Sequence, residues 1–193
     1  MNQSKNRTKI VRICVVAVMA VLVMAASKLQ IKIPAMLGVN RFHLGNTMCA
    51  LSGILLGPWW GGLASGLGSA LFDIVMDPTF LTDAPITFVT KGMYGLVSGL
   101  VFFKVFRGKS NYVTEVIATL CGAVTYIVLY LSKKYFLDAL LVAGMDAAGA
   151  WLVVIEKIPS SLFNGIVAVV FAPILGVAIR KAMKRAHLDH LLG

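Results

Sequence analysis

Charge is scarce in this sequence. Only 13% of its 193 residues are charged, and only 8 are acidic. A soluble domain carries about 25% charged residues, so an ordinary water-soluble globule is excluded. A disordered chain is excluded as well, because it needs low hydrophobicity. Cysteine is scarce: Cys14, Cys49 and Cys121 lie far apart in apolar stretches. They match neither a metal spacing nor a disulfide framework, and they read as small core residues. Histidine is scarcer in any useful sense, because two of the three, His187 and His190, sit in a tail that reads as solvated. No metal site is expected from them. HExxH, Walker A and G-x-S-x-G do not occur, so no catalytic residue and no cofactor is expected, and the chain reads as a non-enzyme. If ATP drives any process here, another chain must hydrolyse it.

What is present is apolar. Hydrophobic residues make up 59% of the chain and the mean hydropathy is +0.86. A bilayer span needs about 20 apolar residues, so the length is best counted in spans. Residues 1–12 are polar and basic, and an uncharged run from 13 to 27 follows. The run has a signal peptide's charge order but no A-x-A-like site leading into a soluble domain, so it reads as a first helix over about 10–29. Pro34, Gly38, Asn40 and Arg41 mark 30–43 as a loop. The uncharged stretch from 44 to 72 is cut by Gly57-Pro58-Trp59-Trp60-Gly61-Gly62, giving two short helices over about 44–56 and 61–76. A fourth helix is expected over about 85–106, a fifth over about 112–135 and a sixth over about 158–182. Residues 136–156, with Gly144, Asp146, Gly149 and Trp151, read as a re-entrant or surface segment from their small residues and acids. The expected architecture is all-α: one membrane domain over 1–193, a compact bundle of six transmembrane helices.

Small residues recur every fourth position at Gly53, Gly57, Gly61 and again at Gly62, Gly66, Ala70. Such faces let helix backbones approach closely, here within the chain rather than between copies. The net charge of +10 reads as orientation, because basic residues collect on the cytoplasmic side. With the N-terminus inside, Lys5, Arg7, Lys9, Arg12, Lys104, Arg107, Lys109, Arg180, Lys181, Lys184 and Arg185 share that side. Asp77, Asp83, Asp138, Asp146 and Glu156 share the other with Lys28, Lys32, Arg41, Lys133, Lys134 and Lys157. Both termini are then cytoplasmic, and no nucleic-acid partner is needed to explain the charge.

Polar residues inside apolar spans are costly and mark function. Asn40, Arg41, His43 and Asn46 cluster where the first loop meets helix two. Asp73 ends helix three, and Lys91 with Tyr94 three residues on shares a face of helix four. Glu156, Ser160 and Asn164 form a stripe at steps of four. All fall in the outer half, where convergent donors and acceptors under apolar walls describe a small-molecule pocket. Plainer readings stand beside this one. Lys91 can pair with Asp73, Arg41 and His43 can anchor at the interface, and Asn164 can cap or bridge helices. Trp59 and Trp60 fit the inner interface, Tyr126 and Tyr130 fit core packing, and Glu115 reads as a surface group.

Three runs carry a family resemblance: Val39-Asn40-Arg41-Phe42-His43-Leu44-Gly45-Asn46, the stretch from Gly53 to Asp73, and Phe88-Val89-Thr90-Lys91-Gly92. Together they resemble the substrate-binding S components of energy-coupling-factor vitamin transporters. The nearest subgroup resembles the hydroxymethylpyrimidine, vitamin B6 and riboflavin-related S components. The resemblance implies a vitamin captured from outside, under the first and third loops. It implies docking on a transmembrane coupling protein (EcfT-type) with two ATPases (EcfA-type), and toppling within the lipid bilayer. The family's A-x-x-x-A docking pattern on helix one is not reproduced; Ala17, Ala20 and Ala25 are the nearest equivalents. A pocket mixing Arg41, His43 and Lys91 with Asp73 and Glu156 suits a small neutral or zwitterionic heterocycle. A vitamin B6 form is the leading expectation, ahead of hydroxymethylpyrimidine, riboflavin and pantothenate.

Overall fold

The structure is a computed structural model; it describes residues 2–35 and 38–186, with side chains from residue 9 onward. The tail histidines and the side chains of Lys5 and Arg7 lie outside the described residues. Helix α1 spans Asn2–Lys28, and its uncharged stretch presents Val18, Val21 and Leu22 outward. Cys14 is also exposed on α1, so it is not a core residue; Cys49 is buried as expected.

The segment expected as a loop is a β-hairpin. Strand β1 (Gln30–Pro34) pairs antiparallel with β2 (Val39–His43), Ile31 opposite Phe42 and Lys32 opposite Arg41. Directly opposed residues share a face and alternate along a strand. One face therefore carries Ile31, Ile33 and Phe42, and the other carries Gln30, Lys32, Arg41 and His43.

Helix α2 (Gly45–Leu56) is the centre of the bundle: 11 of its 12 residues are buried. A helix apolar all round belongs inside. It ends at Gly57, whose φ of 84° favours glycine, and α3 (Pro58–Leu71) starts at once. Proline in the first helical turn sacrifices no hydrogen bond, so α3 begins three residues before the expected 61. Helices α2, α3 and α4 (Ala84–Leu100) touch through glycine: a Cβ on Gly53 would lie 2.0 Å from the Gly95 carbonyl oxygen, and one on Gly61 2.5 Å from the Gly53 Cα. This is the close intramolecular approach that the four-residue spacing implies.

A π-helical turn (Phe72–Met76) closes α3, Asp77-Pro78 breaks the chain, and a 3₁₀ segment (Pro78–Asp83) leads into α4. Helix α4 runs on through a π-helical turn at Val101–Val105. Helix α5 (Tyr112–Ser132) opens on a capping box, Asn111 accepting from the Thr114 amide at 2.9 Å. It continues as a π-helix over Lys133–Val142. Helix α6 spans Ala147–Arg185, capped where Asp146 accepts from the Gly149 amide at 2.9 Å.

The expected re-entrant segment at 136–156 is thus corrected to the end of one helix and the start of the next. Asp138 stays helical because Lys133 and Lys134, one turn back, neutralise it at 3.1 and 2.5 Å. Pro159 lies inside α6 rather than near its start; packed neighbours absorb the freed carbonyl of such a proline in membrane helices.

Four helical stretches, Lys9–Lys28, Pro78–Val105, Tyr112–Val142 and Ala147–Arg185, are long and apolar enough to cross a membrane. Helices α2 and α3, at 12 and 14 residues, are shorter than the ~30 Å hydrocarbon core at 1.5 Å per residue. Large apolar side chains such as Val124, Val128, Leu162 and Ile166 point outward. Lipid, not water, suits such a surface.

Candidate substrate pocket beneath the hairpin

The hairpin's polar face closes one end of the bundle. Strand β2 is held there by α6. Asn164 spans the strand, its Nδ2 donating to the Arg41 carbonyl at 2.8 Å while its Oδ1 accepts from the His43 amide at 2.8 Å. One to two turns earlier, Lys157 Nζ donates to the Val39 carbonyl at 3.3 Å. Ser160 Oγ donates to Asn40 Oδ1 at 3.4 Å, and Asn40 Nδ2 donates to the Glu156 carbonyl at 3.1 Å. Phe42 meets Phe163 edge-on at 5.3 Å. The stripe expected to touch substrate is therefore a clamp on the strand, closer to the bridging reading of Asn164. Lys157, not among the expected site residues, is fully buried in it.

The clamp turns Arg41 and His43 inward. Arg41 Nη1 pairs with Asp73 Oδ1 at 3.1 Å, and its guanidinium lies 4.0 Å above the Phe80 ring. On the hairpin's outer strand Lys32 pairs with Asp77 at 2.5 Å. Burial opposes ionisation of Asp77, but hydrogen bonds from Lys32 and Thr79 and the charges of Lys32 and Arg41 hold its carboxyl below the usual range. His43 Nδ1 accepts from the Gly45 amide at 3.0 Å, which leaves the proton on Nε2. Burial, then the charges of Lys91 and Arg41, holds its pKa well below the usual value, so the ring is neutral.

The expected pairing of Lys91 with Asp73 is not formed; Arg41 takes that carboxylate. Lys91, 6% exposed, donates to Asn46 Oδ1 and lies 4.1 Å over the Tyr126 ring. Tyr94, Tyr126 and Tyr130 form a ladder of near-parallel rings, with centroids 5.8 and 5.7 Å apart. Tyr94 is fully buried below, while the other two line the cavity. Tyr126 and Tyr130 thus pack in the core and also face the cavity.

Between hairpin, 3₁₀ segment, α4 and α5 lies a cavity of about 50 Å³ with Arg41, Phe80, Thr87, Thr90, Lys91, Tyr126, Tyr130, Lys133 and Lys134 among its walls. A second space of about 20 Å³, with Arg41, His43, Asp73 and Lys91 in its lining, adjoins it through Lys91 and Arg41. Lys133 bridges Asp83 at 2.7 Å and Asp138 at 3.1 Å, tying the 3₁₀ segment to α5. Of the expected site residues, Arg41, His43, Asp73 and Lys91 reach these spaces. Asn46 supports Lys91, Tyr94 supports Tyr126, and Asn40, Glu156, Ser160 and Asn164 hold the strand. Phe80, Thr87, Thr90, Lys133 and Lys134 escaped sequence reasoning. Thr90 lies in the Phe88–Gly92 run without being singled out, and Thr87 sits one turn before Lys91.

At the other end of the bundle Glu115 is fully buried, not a surface group. Ser110 Oγ donates to it at 2.6 Å, and Arg180 of α6 approaches it at 3.8 Å while donating to the Ile54 carbonyl. Of the three alanines expected at a docking face, Ala20 is 4% exposed, its carbonyl packed at Gly68 of α3. Ala17 and Ala25 remain exposed.

Several apolar helices, an outward apolar surface and a polar cavity closed at one end define an integral membrane protein that crosses the bilayer more than once and can enclose a small solute. The chain belongs to the family described as "ECF-type riboflavin transporter, S component", which matches residues 7–181. A curated relative from Pyrococcus woesei, "Uncharacterized protein in gap 3'region", is 36% identical over 108 residues, which is 56% of this chain and 67% of that protein. The crystal structure of the S-component for biotin from an ECF-type ABC transporter shares the fold. It has a TM-score of 0.62 at 19% identity, over 91% of this chain and 93% of that one. The family description names riboflavin and the solved structure names biotin; vitamin B6 appears in neither.

Proposed function

We propose that this chain is the substrate-binding subunit of an energy-coupling-factor importer, capturing a small water-soluble vitamin in the cavity beneath the hairpin. It works as one domain of six membrane helices with both termini cytoplasmic, so the hairpin end faces outward. The observation that carries this reading is the enclosure of Arg41, His43 and Lys91 beside the Tyr126–Tyr130 wall, under a strand clamped by α6. The protein binds and delivers; the ATP is hydrolysed by two ATPases on a transmembrane coupling protein. Ala17 and Ala25 lie on an open face of α1 and are the proposed contacts to that protein.

The proposed vitamin is a B6 form, pyridoxine or pyridoxal. The aromatic wall of Phe80, Tyr126 and Tyr130 beside Arg41, Thr90 and Lys91 suits a single substituted ring. Donors and acceptors together match a ring bearing hydroxyl and hydroxymethyl groups. Riboflavin is the second reading, favoured by the family description. Two measurements test the proposal. A pull-down with the coupling protein and its ATPases should recover a stoichiometric complex. Calorimetry should give sub-micromolar binding of pyridoxine or pyridoxal. Tight riboflavin binding with none by B6 forms replaces the substrate, and failure to assemble removes the transporter reading.

A further inference from the structure

The cavity carries one positive charge that the protein does not match. Four cations line it: Arg41, Lys91, Lys133 and Lys134. Arg41 is matched by Asp73, Lys133 by Asp83 and Asp138, and Lys134 by Asp138. Among the described residues, no ion pair within 4.0 Å includes Lys91. Its ammonium has an amide oxygen on Asn46 and the face of Tyr126, both uncharged partners. Three carboxylates thus face four cations, and the surplus sits on the most buried site in the cavity. A histidine carries no negative charge, so His43 cannot supply the missing one, and Asn46 Nδ2 is a buried donor without an acceptor.

A buried ammonium without a counter-charge is costly, and a site that keeps one gains most from a ligand that brings the charge. We infer that the substrate class is a ring compound carrying an ionised oxygen, phenolate or carboxylate, which sits against Lys91 with the Asn46 amide as a second donor. The inference rests on the cavity being the substrate site. It sorts the candidates by charge rather than by size. Pyridoxine, a zwitterion at neutral pH with its 3-oxygen ionised and its ring nitrogen protonated, and a carboxylate vitamin both qualify; a neutral flavin does not.

The test uses the full chain in lipid nanodiscs and calorimetry at pH 7.5. Two matched probe pairs differ in one ionised oxygen: pyridine-3-carboxylate against pyridine-3-carboxamide, and zwitterionic pyridoxine against its uncharged 3-O-methyl ether. The member with the ionised oxygen should bind at least about tenfold tighter. Lys91→Met removes the cation. Asn46→Asp supplies a carboxylate of the protein's own. Each should bring the ratio to within about twofold, whatever the absolute affinity of either member. Uncharged members binding as well as ionised ones, or a preference that survives both substitutions, overturns the inference. If neither variant folds, the wild-type ratios decide. If no probe binds, mass spectrometry of the compound released from the purified protein decides: an acid or phenolate supports the inference, and a neutral compound or none overturns it. All these overturning results leave assembly with the coupling protein intact, so the transporter reading is tested separately.

Discussion

Asn164→Ala should open the hairpin without unfolding the bundle. The wild-type amide makes two hydrogen bonds of 2.8 Å to the backbone of β2. Each bond contributes about 0.5–1.5 kcal/mol net, and a buried backbone group left unpaired costs about 1–3 kcal/mol. Water reaches part of the rim, so a loss of about 2–4 kcal/mol in hairpin closure is expected, within the range for stranded backbone groups. At 1.4 kcal/mol per factor of ten, amide exchange in β2 should speed up about 30- to 1,000-fold. Exchange in α2 and α5 should stay as it is. Binding should weaken in parallel, because the competent population falls, although Asn164 is not among the cavity walls. Asn164→Asp keeps the acceptor for His43 but sets a carboxylate against the Arg41 carbonyl, and should be at least as damaging to exchange at 39–41. The assay is hydrogen exchange by mass spectrometry together with calorimetry. Unchanged exchange at 39–43 in Asn164→Ala would refute the clamp, whatever happens to affinity.

Gly53→Ala places a Cβ 2.0 Å from the Gly95 carbonyl oxygen, so α2 and α4 must part; overpacking of this kind costs about 1–3 kcal/mol, read as a lower melting temperature in detergent. Arg180→Ala leaves Glu115 buried beside Ser110 alone; a stranded buried charge costs about 3–5 kcal/mol, and adding Glu115→Gln should recover much of it. His43 should impose a pH dependence on stability. Its folded pKa lies well below the usual 6.5, so the unfolded chain takes up a proton as pH falls through 6.5 and the folded protein does not. Stability is full above that value and declines below it. In melting curves from pH 7.5 to 5.5, His43→Asn, which keeps an acceptor for the Gly45 amide, should flatten the decline.

The parts of the fold written in unusual residues were legible. Gly57-Pro58 broke the second and third helices because no other pair combines a positive φ with a proline-tolerant first turn. Residues that act through distant partners were not legible. Ile31-Lys32-Ile33 alternates as a strand should, yet Pro34, Gly38 and Asn40 argued for a loop, and it is α6 that holds the strand in place. Asp138 looked like an interruption because its partners Lys133 and Lys134 had been assigned to a helix end. Lys91 stood out as a charge inside a span. Tyr126 and Tyr130 did not, since spacing of four serves core and cavity alike. Glu115 looked exposed because Arg180, its partner, comes from the far end of the last helix.

Uptake by sealed vesicles tests the central claim most directly. Vesicles containing this chain, the coupling protein and both ATPases, loaded with ATP, should accumulate the compound that the purified chain binds. Omitting ATP or the coupling protein should abolish accumulation. Uptake by this chain alone, without ATP, would contradict the account and identify a facilitator.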